Sequence, residues 1–123
     1  MPIVIINTNV EINDDKKELI LCNVAQLVAN LMKKPINDVM VQYSYHYMVM
    51  ANSIKPAAYV DIKYISSLDL KISEDLSSGM LDILNQVFDL DPARLYLNFF
   101  EVRDVQAWRF IDGIPVCPKS KNK

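Results

Sequence analysis

The chain has 123 residues, one domain's worth, and 51% of them are apolar, so a packed core is within reach and a disordered chain is not expected. The formal net charge is −2 with no basic face, which argues against nucleic acid as a partner. No stretch reaches the roughly 18 apolar residues of a membrane span, and the start lacks the basic region of a signal peptide.

Residues 2–8 alternate and are rich in β-branched types, which reads as a buried strand. Asn13 and Asp14 offer an N-cap, and Ile20, Val24, Leu27, Val28 and Leu31 then recur at helical spacing up to Lys33. Lys33 and Lys34 suit a helix C-terminus, and Pro35 stops it. Val39 to Tyr43 reads as a second strand, followed by a turn around Asn52 and Ser53. Tyr43, Tyr45 and Tyr47 alternate, which puts them on one face of an extended segment as an interface patch; His46 among them reads as an ordinary surface residue.

The same order then repeats. Ala57 to Ile65 is a strand, Leu70 to Phe88 a helix with a stripe of Leu76, Met80, Ile83, Leu84 and Val87, and Leu95 to Phe100 a final strand. Lys34-Pro35 and Asp91-Pro92 hold equivalent places, each a proline after a helix and shortly before a strand. Two strand–helix–strand units therefore build an α+β domain: a four-stranded sheet with two helices on one face. The other face then has no element to cover it, which points to oligomerisation through that face or the sheet edges.

Two cysteines, Cys22 and Cys117, form no Cys-x-x-Cys pair and no cluster with histidine that could bind a metal. They read as reduced thiols of a cytoplasmic protein, Cys22 packed on its helix and Cys117 near an exposed tail. Lys119, Lys121 and Lys123 make that tail a solvated end, with an interaction tail as the alternative.

Pro2 is the residue with unusual chemistry. If Met1 is trimmed, Pro2 carries a free secondary amine at the head of the apolar run Ile3-Val4-Ile5-Ile6. Apolar surroundings disfavour the charged form of an amine, and a neutral amine can take a proton from carbon. Equally, a proline is at home at the first residue of a strand.

The chain resembles the macrophage migration inhibitory factor family of the tautomerase superfamily, over residues 2 to 113. The resemblance is carried by the opening Met1-Pro2-Ile3-Val4-Ile5-Ile6-Asn7-Thr8-Asn9-Val10, by Lys34-Pro35 after the first helix, and by Tyr64-Ile65-Ser66 where the family has Ser-Ile-Gly. Pro92-Ala93-Arg94-Leu95-Tyr96-Leu97-Asn98 is similar to the family's Pro-x-Arg-Val-Tyr-Ile strand, and Trp108-Arg109-Phe110 with Asp112-Gly113 to its closing Trp-Gly-Trp-Asn-Gly. It implies a tautomerase-like domain over residues 1–116, with halves 2–55 and 56–116, followed by a tail over 117–123. It further implies a homotrimer whose sheets wrap into a barrel, and a site at each subunit boundary.

The reaction implied is cofactor-independent keto–enol tautomerisation of an aromatic 2-keto acid such as phenylpyruvate. Pro2 would be the general base. Lys34 would grip the substrate carboxylate or its enolate oxygen, the Ile65 backbone N–H would serve the carboxylate, Tyr96 and Asn98 of a neighbouring subunit would bond the substrate's far end, and Trp108 and Phe110 would wall the pocket. No metal is implied. The alternative is a cytokine-like binding trimer with vestigial activity, acting on a protein receptor and leaving the cell by a non-classical route.

Three departures from the family pattern stand out. The family's Phe-Gly-Gly-Ser turn is here Met50-Ala51-Asn52-Ser53, Ser66 replaces the glycine of Ser-Ile-Gly, and the chain continues past the usual end. The family's Cys-Ala-Leu-Cys segment corresponds to Ala57-Ala58-Tyr59-Val60, which holds no thiol, so thiol–disulfide activity is not expected.

Overall fold

A computed structural model describes residues 2–65 and 68–103. Strand β1 (Pro2–Thr8) alternates between buried and half-buried positions, so Pro2, Val4, Ile6 and Thr8 all turn to one side of the sheet. Thr8 can be buried there because its hydroxyl donates to the Ala57 carbonyl at 2.8 Å and accepts from the Val10 N–H at 3.2 Å.

Helix α1 (Asp14–Met32) starts at Asn13, whose side chain accepts from the Lys16 N–H at 2.9 Å, with Asp14 and Asp15 favourably placed in the first turn. It ends one residue before the expected Lys33, which takes the left-handed conformation (φ 56°) and donates its N–H to the Ala29 carbonyl. The buried stripe is Ile20, Val24, Val28 and Ala29, with Leu27 and Leu31 at its margin. Cys22 corrects the expectation that it packs: it is an exposed free thiol. At 3.6 residues per turn it lies about 200° from both Ile20 and Val24, on the solvent side of the helix.

A 3-10 turn over Ile36–Asp38 follows Pro35, and strand β2 runs Met40–Tyr45 rather than 39–43. Val39 is held back by its N–H bond to the Ile36 carbonyl, while pairing with β1 carries the strand on to Tyr45. Tyr43 is half-buried, and its hydroxyl donates to the Val10 carbonyl. Beyond the strand Tyr47 stands 94% exposed, its ring edge-on to Tyr45 at 6.0 Å.

Strand β3 (Ala58–Ile65), helix α2 (Leu70–Phe88) and strand β4 (Leu95–Val102) complete the chain's described part. Asp69 caps α2 by accepting from the Ile72 N–H at 2.8 Å, and Asp89 in the left-handed region closes it. The buried stripe is Leu76, Met80, Leu84 and Phe88.

The sheet order is β2-β1-β3-β4. β1 pairs parallel with β2, β3 parallel with β4, and β1 antiparallel with β3, so the two strand–helix–strand units sit back to back. Both helices cover one face and pack on each other, enclosing Val4, Ile6, Val60 and Ile62 of the central strands. No helix among the described residues covers the opposite face. It presents Ile3, Ile5, Met40, Tyr59, Tyr96 and Phe100 interleaved with Asn7, Gln42, Asp61, Lys63 and Asn98. No helix among the described residues is long and apolar enough to cross a membrane.

Candidate active site

Pro2 opens the central strand β1, buried on the helix-facing side and directly across from Tyr64 of β3. Ile65 ends β3 one residue further on. Helix α1 runs back along the sheet and delivers the chain to the start of β2, where Met40 pairs with Ile3. Lys34, between α1 and β2, therefore belongs to the same end of the sheet as Pro2. It is half-buried, and its N–H donates to the Ala29 carbonyl at 3.0 Å, which fixes the backbone that carries it. Pro2, Lys34 and Ile65 are thus gathered at one end by the topology. Burial pushes the Tyr64 phenol above its ordinary range, with the nearby Glu101 charge adding to the effect.

Tyr96 and Asn98 are not gathered there. In the β1–β3–β4 register Tyr64 joins Pro2 to Glu101, so Asn98 lies three rows away and Tyr96 five, about 10 and 17 Å along the strands. Both also point to the uncovered face, opposite to Pro2, and Tyr96 is 64% exposed. Trp108 and Phe110 lie outside the described residues. A cleft of about 340 Å³ opens at the far end of β1, lined by Asn9, Tyr45, Tyr47, Met48, Val49 and Ile54. Tyr45 pairs with Thr8, so this cleft is separated from Pro2 by the length of the strand.

Sequence reasoning missed two arrangements. On the uncovered face Asn98 Nδ2 donates to Asp61 Oδ1 at 3.0 Å, and the Asn7 side chain donates to the Tyr59 carbonyl at 3.2 Å. Tyr59 lies on the same face, and the Asp61 carboxylate pushes its phenol above the ordinary range. The cluster has a partial signal in the alternation of Tyr59 with Asp61, but Asn98 comes from 37 residues away. The second arrangement is Arg94, 8% exposed, which donates to the carbonyls of Met50, Ser53, Lys55 and Pro56 at 2.7, 3.0, 2.9 and 2.9 Å. It clamps the turn in which Ala51 and Asn52 both take positive φ, 53° and 57°. The backbone there adopts a conformation that suits glycine, although the sequence supplies none.

Among the described residues no group of three or more His, Cys, Asp or Glu is placed to hold a metal ion.

The family model for macrophage migration inhibitory factor matches residues 1–110. The chain belongs to that family. A homologue of macrophage migration inhibitory factor from Trichinella spiralis is 29% identical over 100 residues, 80% of this chain and 87% of that protein. Among solved structures, the macrophage migration inhibitory factor of Toxoplasma gondii superposes with a TM-score of 0.83 at 20% identity, covering 89% of this chain and 96% of that one. The family member from Entamoeba histolytica gives 0.81 at 24% identity, covering 89% and 94%. The two-helix, four-stranded mixed sheet is thus the family's fold.

Proposed function

We propose that the chain is a cofactor-independent keto–enol tautomerase for aromatic 2-keto acids such as phenylpyruvate, working as a homotrimer with Pro2 as its base once Met1 is removed. The observation that carries this reading is the placement of Pro2. It is buried at the head of the central strand, with Lys34 and Ile65 brought to the same end of the sheet. Family membership supports the reaction class.

The chemistry follows from those positions. The secondary amine of Pro2 takes a proton from the carbon next to the ketone, and the electron pair moves into an enolate. Delivery of a proton to the enolate oxygen gives the enol, and the reverse sequence returns the ketone, so one group serves as base and then acid. Lys34 and the Ile65 N–H hold the carboxylate, and the Lys34 cation lowers the barrier where negative charge develops. Tyr96 and Asn98 lie too far from Pro2 in their own chain, so they serve the site of a neighbouring subunit and meet the ring end of the substrate.

The test compares enol–keto exchange of phenylpyruvate, followed by ultraviolet absorbance, for three samples: protein trimmed of Met1 (checked by intact mass), protein retaining it, and Pro2→Gly. The trimmed protein is expected to be faster than the other two by at least about 100-fold, the contribution of a positioned base. Equal rates would overturn the proposal and leave a binding role for the fold.

A further inference from the structure

We propose that Asp61 is a positioning residue that fixes the side-chain amide of Asn98, and so selects substrates whose far end offers a hydrogen-bond donor. This rests on the tautomerase reading above, in which Asn98 meets the ring end of the substrate.

The carboxylate of Asp61 can only accept hydrogen bonds, so the group that Asn98 turns towards it at 3.0 Å has to be Nδ2. The two residues are cross-strand partners of β3 and β4, which sets their side chains next to each other on the uncovered face. Tyr59, two residues back, lies on the same face of β3. With Nδ2 committed, Oδ1 of Asn98 is directed away from the carboxylate, because two acceptors repel. The surface offered to a ligand is thus an amide oxygen backed by an anionic carboxylate. A phenolic hydroxyl satisfies it. A substituent without a donor leaves that oxygen without a partner, and a second carboxylate meets like charge.

The probes are 4-hydroxyphenylpyruvate and 4-fluorophenylpyruvate, close in size but only one of them a donor. The quantity read is the ratio of their kcat/KM values, hydroxyl over fluoro, compared between protein variants so that the intrinsic reactivity of each acid cancels. Asp61→Ala frees the amide to turn and should lower the ratio about tenfold, the worth of one hydrogen bond of this kind. Asn98→Ala should lower it as far. Asp61→Asn keeps an acceptor for Nδ2 and should retain most of the ratio, which a merely structural loss would not do.

An unchanged ratio in Asp61→Ala or in Asn98→Ala would overturn the proposal, as would equal loss in Asp61→Asn and Asp61→Ala. Should Asp61→Ala fail to fold, Asn98→Ala and the near-isosteric Asp61→Asn still decide between these outcomes. If the trimmed wild-type protein turns over neither acid, the tautomerase reading fails and this proposal with it. If it turns over both in a Pro2-dependent way and the ratio ignores Asp61, only the present inference fails.

Discussion

Arg94 reaches across from the turn just before β4 and donates through Nη1 to the carbonyl of Met50 at 2.7 Å, the shortest of four bonds it makes to the backbone between Met50 and Pro56. A planar guanidinium can serve several carbonyls in fixed directions; an ammonium cannot reproduce that fork. Arg94→Ala is therefore expected to destabilise the fold by about 2 kcal/mol, since charged hydrogen bonds are lost but water can reach some of the carbonyls. Arg94→Lys should recover less than half of this. Urea unfolding checks both: the midpoint should fall with the slope unchanged.

The clamped turn holds Ala51 at φ 53°, which costs an L-residue about 1 kcal/mol or more. Ala51→Gly should relieve that strain and stabilise the protein by about 0.5–1 kcal/mol after the unfolded-state entropy of glycine is set against it. Asn52→Gly should gain less, because asparagine tolerates the left-handed region. Thermal unfolding of the two variants ranks them.

Helices α1 and α2 approach closely at Gly79, where an added Cβ would stand 2.7 Å from Cδ1 and 2.9 Å from Cδ2 of Leu27. Alanine is the better helix former by about 1 kcal/mol, yet here it has to displace a packed leucine. Gly79→Ala is expected to be net destabilising by about 1 kcal/mol. In the Leu27→Ala background the same substitution should become stabilising. A double-mutant cycle with a coupling near zero would contradict this packing account.

Burial raises the phenols of Tyr64 and Tyr43 above their ordinary value of 10.0; for Tyr43 this outweighs the lowering influence of the nearby Ile12 backbone. In each case the folded state holds its proton longer than the unfolded chain does. The slope of stability with pH is then negative above the unfolded value, so the contribution is complete below about pH 10 and is lost as pH rises through the folded value. Urea midpoints measured from pH 8 to 11 should fall at the alkaline end. The fall should be smaller in Tyr64→Phe and in Tyr43→Phe.

Lys33 and Lys34 are adjacent but differently placed: Lys33 is the exposed left-handed cap of α1, and Lys34 is half-buried at the Pro2 end of the sheet. Lys34→Ala is expected to raise KM for phenylpyruvate about tenfold and lower kcat, while Lys33→Ala leaves both within about twofold. Equal effects from the two would remove Lys34 from the carboxylate site.

The legible parts of this fold were those written locally. The limits of α2 at Leu70 and Phe88 follow from its apolar stripe and the Asp91-Pro92 punctuation, and β1 follows from strict alternation. β2 ran two residues further than its apolar run, because the ladder with β1 rather than residue type decided where it ended. Cys22 was misplaced because its type suggests burial while its helical angle forbids it. The grouping of Pro2, Lys34 and Ile65 needed only the crossover topology. The Asp61–Asn98 pair and the Arg94 clamp join residues roughly 40 positions apart, and no spacing rule marks them.

The position of β1 has a practical side. A chain terminus usually frays at the rim of a domain, where added residues are tolerated. Here the second residue already belongs to a middle strand, hydrogen-bonded in register between two neighbours. An affinity tag or fusion partner attached ahead of Pro2 would have to leave from the centre of the sheet, and would convert its amine to an amide. Preparations carrying such an extension can be folded and still be unsuited to any assay of Pro2.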